Sequence, residues 1–170
     1  MSDEKHTELS DAELIRYSRH TVLPQVGENG QLILKNSSIL IVGAGGLGSP
    51  VLAYLSAAGV GRLGVIDNDK VEESNLQRQI LHNEEDVGKL KVDSVVEKIA
   101  LLNSKIDVMS YSERLTAENV MQIITNYDLI IDGTDNFPTR YLLSDACEIL
   151  NKTWIFGSIH QFEGQVTTFN

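Results

Sequence analysis

Four apolar residues, Ile39-Leu40-Ile41-Val42, run straight into Gly43-Ala44-Gly45-Gly46-Leu47-Gly48, and an apolar helical stretch follows from Leu47 to Ala58. A strand that is apolar without alternation is buried on both faces, which calls for a parallel sheet covered by helices. The glycines between strand and helix permit a tight turn whose backbone amides approach an anion closely, at the positive end of the helix dipole. Gly43, Gly45, Gly46 and Gly48 are therefore the first candidate ligand residues. Asp67 ends the next strand, Arg62 to Ile66, and is placed to accept hydrogen bonds from ribose hydroxyls. The pair reads an adenosine end that NAD and ATP share, so it does not choose between them.

The rest of the chain agrees with the opening strand. Ser10 and Glu13 form a capping box that predicts a helix to about His20, and Glu28 to Lys35 predicts a second helix, so residues 1–37 read as a helical arm. Val92, Val95, Val96, Ile99 and Leu102 share one face at helical spacing, with Lys89 and Lys91 expected in the first turn. Ile106 to Ser110 alternates as a strand, Thr116 is expected to cap a helix to about Asn126, and Leu129-Ile130-Ile131 is a strand closing at Asp132. A helix with Pro138 in its first turn follows Asp135-Asn136, then strands from Thr153 to Ser158 and Phe162 to Phe169. Strands alternating with helices predict an α/β fold, Rossmann-like, with a mainly parallel sheet and helices on both faces over residues 38–170. Because the last strand stops at Asn170 with no helix or cap after it, the domain reads as truncated at the C-terminus.

Composition narrows the function. Fourteen basic against 24 acidic side chains give a net charge of -10, which argues against general affinity for nucleic acid or anionic membranes. Any anionic ligand must then be held by a few placed cations. The polar start and the lack of a long apolar stretch lead us to expect a cytoplasmic protein. The lone Cys147 lies in an amphipathic run and reads as core packing, and no zinc site is recognisable.

Two features favour ATP. Arg78 in a polar loop and Lys91 at a helix start flank the same strand end, and two cations exceed what a pyrophosphate already held by a helix requires. They suit a triphosphate, although no P-loop string occurs. Asp132-Gly133-Thr134-Asp135-Asn136 lies past the carboxyl end of a buried strand, where open sheets bind ligands, and Asp135 is the candidate for Mg²⁺. Asp132, Asn136 and Arg140 also suit a helix-capping network, and Lys89 reads as a solvated charge.

Arg16-Tyr17-Ser18-Arg19-His20, the glycine turn, Ser74-Asn75-Leu76-Gln77-Arg78-Gln79, Val87-Gly88-Lys89-Leu90-Lys91, Asp135-Asn136 with Arg140, and Glu163-Gly164-Gln165 together resemble the ThiF/MoeB/HesA proteins, relatives of the ubiquitin-activating enzymes. The resemblance runs from Glu8 onward. It implies adenylation, with Mg-ATP consumed and pyrophosphate released, of the C-terminal Gly-Gly carboxylate of a ubiquitin-like sulfur carrier protein, as in thiamine or molybdopterin biosynthesis. It implies that Gly46, Asp67, Asn75, Arg78, Lys91 and Asp135 form the ATP site, with Asn136 beside them. It also implies a homodimer in which Arg19 reaches into the partner's site. The family's second half, with its carrier-binding sheet, crossover-loop cysteine and paired zinc ligands in many members, has no counterpart here, and Cys147 does not match the crossover position. Two other readings stay open: a non-catalytic nucleotide-binding fragment or scaffold subunit, and an NAD-dependent oxidoreductase, which would leave Arg78 and Lys91 idle.

Overall fold

A computed structural model describes residues 5–170. Six strands form one sheet in the order β3-β2-β1-β4-β5-β6. They are β1 (Ser38–Val42), β2 (Arg62–Ile66), β3 (Asp107–Tyr111), β4 (Leu129–Asp132), β5 (Thr153–His160) and β6 (Glu163–Phe169). Neighbouring strands are parallel except β5 and β6, which form an antiparallel hairpin through Gln161 in left-handed conformation. The order reverses between β1 and β4, which opens a crevice at their carboxyl ends.

The burial of β1 explains its unbroken apolar run. Ile39 and Ile41 pack with Leu52 of α4 (Gly48–Ala58) and with Val92, Val95 and Ile99 of α5 (Lys91–Leu102). Leu40 and Val42 pack on the other face, against Ile123 and Ile124 of α6 (Val120–Ile124) and Leu143, Ala146 and Cys147 of α7 (Phe137–Leu150). Both faces are therefore dry, and the expected α/β architecture is what forms. Cys147 lies in this second cluster, where burial pushes its thiol up to about 11. A thiol this protonated is a packing group rather than a nucleophile.

The amino-terminal helices are α1 (Asp11–Arg16), α2 (Ser18–Thr21) and α3 (Gly27–Lys35). The Ser10–Glu13 capping box is present, and Lys35 Nζ lies 2.8 Å from Glu13 Oε2. Burial works to raise the Glu13 pKa, but the Lys35 bond and the Ser10 amide and hydroxyl outweigh it and hold the carboxyl at about 2. The single helix expected to His20 is broken at Tyr17, whose side chain is buried and accepts a hydrogen bond from Asn103 Nδ2 at 2.9 Å. Gln31, fully buried, donates to the Ala58 carbonyl at 2.8 Å. These contacts tie the arm to the ends of α4 and α5.

Two helix starts differ from expectation. Lys89 lies outside α5, which begins at Lys91 after an extended Leu90, because residues 88–91 form a short antiparallel pairing with Asp69–Val71. Lys89 instead pairs with Asp86 and Glu97. Thr116 does not cap α6: Asn119 Oδ1 accepts from the Thr116 amide, the segment turns there, and the helix starts at Val120. No helix among the described residues is long and apolar enough to cross a membrane.

Candidate functional site

The crevice at the reversal of strand order is a cleft of about 690 Å³, within the range of small-molecule sites, roughly 300–1,000 Å³. Its floor is the end of β1 and the glycine turn. Gly43 has φ +95, a left-handed value, and a Cβ there would lie 3.1 Å from the Gly133 carbonyl oxygen. Gly48, the first residue of α4, passes so close to the Gly43 carbonyl that any side chain would collide with backbone. Only glycine fits at these two places, and the helix amides are thereby brought against the strand end.

The shape of the turn is held from behind. Ala44 is fully buried, its amide donates to Asp67 Oδ2 at 2.8 Å, and its carbonyl accepts from Ser49 Oγ at 3.2 Å. His82 Nε2 lies 3.2 Å from the same carbonyl, and its Nδ1 lies 2.8 Å from Ser94 Oγ. A carbonyl can only accept, so Nε2 carries a proton. Asp67 Oδ1 accepts from the Asp69 amide at 2.8 Å, so this carboxylate organises the loop as well as facing the cleft.

Burial lowers the His82 pKa below that of free imidazole and Lys91 adds to this, while the Ala44 bond and the charges of Asp86 and Asp67 oppose it. The unfolded chain therefore binds this proton more readily. Stability that is fully present above about pH 6.5, the free imidazole value, is lost as pH falls below it. Urea midpoints of the wild type should fall from pH 7.5 to 5.5 more steeply than those of His82→Gln. The difference is bounded by one proton, about 1.4 kcal/mol per pH unit. Parallel titrations would show that His82 does not carry the effect.

Gly43, Gly45, Gly46, Asp67, Asn75, Arg78, Lys91, Asp135 and Asn136 all line the cleft. Gly48 shapes the turn from outside it. Arg19 is exposed on α2 and does not line it. Lys91 is buried and its Nζ lies 2.9 Å from Asp69 Oδ2, while its own amide donates to the Asp69 carbonyl. Its ammonium thus stands fixed at the cleft wall. Arg78 spends one Nη1 bond on the Ser74 carbonyl at 3.1 Å, and its stem lies 3.5 Å from where a Cβ on Gly46 would stand. Asn75 is buried and caps the Glu72 amide at 3.1 Å.

On the far wall, Asn136 caps α7 by accepting from the Thr139 amide and hydroxyl at 3.0 and 2.8 Å. Asp132 Oδ1 accepts from the Thr134 amide and hydroxyl at 2.9 and 2.7 Å. Burial raises the Asp132 pKa, against the pull of those bonds and of Arg140. Arg140 donates to the Thr134 carbonyl at 2.8 Å and stacks on Phe156 at 4.9 Å. This network leaves Asp135 at the cleft with a carboxylate to offer. Among the described residues no three His, Cys, Asp or Glu side chains gather as a metal site. A Mg²⁺ that shares its ligands with phosphate and water needs only one or two protein carboxylates, so the donor set fits that ion.

The cleft also contains residues to which the sequence assigns no role: Asp69, which anchors Lys91, Lys70 and Arg114, and Gln79 at the end of the Ser74–Gln79 motif. Lys70, Arg78, Lys91, Arg114 and Arg140 converge here in a chain whose net charge is -10. The cations and the turn amides together suit a polyanion, and the carboxylates between them suit a cation or hydroxyls. Asp69 was legible as an acid two residues past Asp67; its pairing with Lys91 depends on the backbone ladder.

Comparison with known proteins follows the same lines. The model of the ThiF family matches residues 17–170. The chain is 53% identical over 166 residues to a probable molybdopterin-synthase adenylyltransferase of Porphyra purpurea, covering 98% of this chain and 44% of that protein. It is 53% identical over 158 residues to the sulfur carrier protein adenylyltransferase of Thermus thermophilus, covering 93% of this chain and 58% of that protein. It thus spans about half the length of these curated relatives. Among solved structures, E. coli TcdA, a tRNA threonylcarbamoyladenosine dehydratase in complex with AMP, superposes with a TM-score of 0.86 at 27% identity, over 93% of this chain and 65% of that one. E. coli MccB with ATP gives a TM-score of 0.77 at 31% identity, over 84% of this chain and 44% of that one. With the family's model running across nearly all of its sheet, helices and cleft, this chain belongs to the ThiF family.

Proposed function

We propose that this chain forms the nucleotide half of a cytoplasmic, homodimeric enzyme that adenylates the C-terminal Gly-Gly carboxylate of a ubiquitin-like sulfur carrier protein. The observation that carries the reading is the convergence of the glycine turn, Arg78, Lys91 and Asp135 on one cleft at the sheet's switch point. The names of the relatives support the same activity, and the ATP and AMP complexes of MccB and TcdA support the nucleotide.

In this reading the carrier's carboxylate oxygen attacks the α-phosphorus of ATP. A C–O–P bond forms, the bond from the α-phosphorus to the bridging oxygen breaks, and pyrophosphate leaves with that electron pair. The turn amides hold the phosphate near the helix start, Asp67 orients the ribose, and Lys91 and Arg78 neutralise the departing pyrophosphate. Charge is met by groups fixed in advance, and no protein nucleophile is required. Asp135 would hold Mg²⁺, which supplies further neutralisation of the phosphates when bound. Arg19, exposed and away from its own cleft, would complete the site of the second subunit.

The test is exchange of radiolabelled pyrophosphate into ATP. Exchange should appear only with a carrier that ends in Gly-Gly, and a carrier lacking the last glycine should support none. Exchange without any carrier, or tighter calorimetric binding of NAD than of Mg-ATP, would overturn the proposal. Nucleotide binding with no exchange would support a binding module instead.

A further inference from the structure

Three buried side-chain atoms lack a hydrogen-bond partner among the described residues: Gln79 Oε1, Asp132 Oδ2 and Arg140 Nε. Asp132 and Arg140 attract one another electrostatically, and each has other atoms bonded around Thr134. Gln79 stands apart. Its side chain lines the cleft, the residue is 3% exposed, and Nε2 lies 3.8 Å from where a Cβ on Gly45 would stand.

The fold uses this residue through its backbone. The Gln79 amide donates to the Asn75 carbonyl at 3.0 Å, and its carbonyl accepts from the His82 amide at 3.1 Å. Any residue but proline could supply both bonds. A buried carboxamide oxygen with no donor destabilises the unliganded protein, whereas an apolar side chain of similar size would fill the space without that penalty. The chemistry that requires a carboxamide here is a neutral N–H donor beside the glycine turn, and such a donor brings its oxygen with it. A lysine or arginine would add another charge next to Arg78 and Lys91, and a carboxylate would repel an anion.

We propose that Gln79 is a further nucleotide-binding residue. Its Nε2 donates to an oxygen of the phosphate seated against Gly45 and Gly46, the one that stays with the nucleoside, while Arg78 and Lys91 serve the outer phosphates. The inference rests on the nucleotide reading of the cleft. It makes Gln79 a group that favours phosphorylated over unphosphorylated nucleoside, at some expense to the stability of the empty protein.

Calorimetric binding of Mg-ATP, AMP and adenosine to wild type, Gln79→Met and Gln79→Glu, with thermal melting of each protein without nucleotide, tests it. Gln79→Met should bind Mg-ATP and AMP about tenfold or more weakly, the scale of one lost bond to a charged acceptor, with adenosine changed less than about twofold. Its melting temperature without nucleotide should be unchanged or raised, and Gln79→Glu should bind AMP more weakly still through like-charge repulsion. Wild-type binding of all three ligands by Gln79→Met would overturn the inference. So would a lowered melting temperature with adenosine and AMP weakened equally, the signature of a structural role. A wild type that binds none of the three would overturn the nucleotide reading itself, and the inference with it.

Discussion

Alanine at Gly48 is expected to destabilise the protein by about 3 kcal/mol or more, at the upper end of what overpacking costs. The added methyl would be driven into the carbonyl oxygen of Gly43, and both groups belong to backbone that other contacts hold. Gly43 N donates to the Ile66 carbonyl at 2.9 Å, and Ser49, next to Gly48, bonds the Ala44 carbonyl, so neither side can retreat without breaking the turn. Gly46→Ala is the control. Its Cβ would meet only the Arg78 stem at 3.5 Å, an ordinary contact with a flexible side chain. Urea unfolding should show a large drop in midpoint for Gly48→Ala and a small one for Gly46→Ala. Equal midpoints would mean that the turn is softer than its hydrogen bonds imply.

Lys91→Ala is expected to lower carrier-dependent pyrophosphate exchange by roughly 10²–10³, the scale for losing one preorganised charge-stabilising donor. The fold should survive, because Asp69, the partner left behind, is largely exposed and water can replace the ammonium. Melting close to wild type together with lost exchange is the expected signature. Arg19→Ala should be as inactive, although Arg19 lies outside the cleft of its own chain. Mixing the two inactive proteins separates the possibilities. In a shared-site dimer, each mixed pair holds one site with both lesions and one with neither, so about half the activity per mixed dimer returns. If Arg19 serves its own subunit, every site carries one lesion and the mixture stays inactive, which with subunit exchange confirmed would reject the shared site.

Local chemistry announced much of this protein. The unbroken apolar runs of β1 and β4 read as buried strands, and the glycines after Val42 as a turn opening a helix, because each statement concerns residues adjacent in the chain. The capping box at Ser10 and the N-cap at Asn136 were legible for the same reason. Where the reading slipped, tertiary contacts had outweighed local preference. Tyr17 breaks its helix to reach Asn103, and Lys89 is kept out of α5 by pairing between residues 69–71 and 88–91.

The sequence by itself determined the layered α/β fold and the residue types of a polyanion site, since hydrophobic period, glycine turns and caps act over a few residues. Only the tertiary structure decided how those residues stand together. Asp69 fixes Lys91, His82 braces the glycine turn from behind, and Gln79 is buried with an unanswered oxygen at the cleft wall. Each joins segments distant in sequence, and their meeting is set by strand order and register. Pairing across such distances depends on the packing free energy of the whole sheet, which no short window of sequence contains.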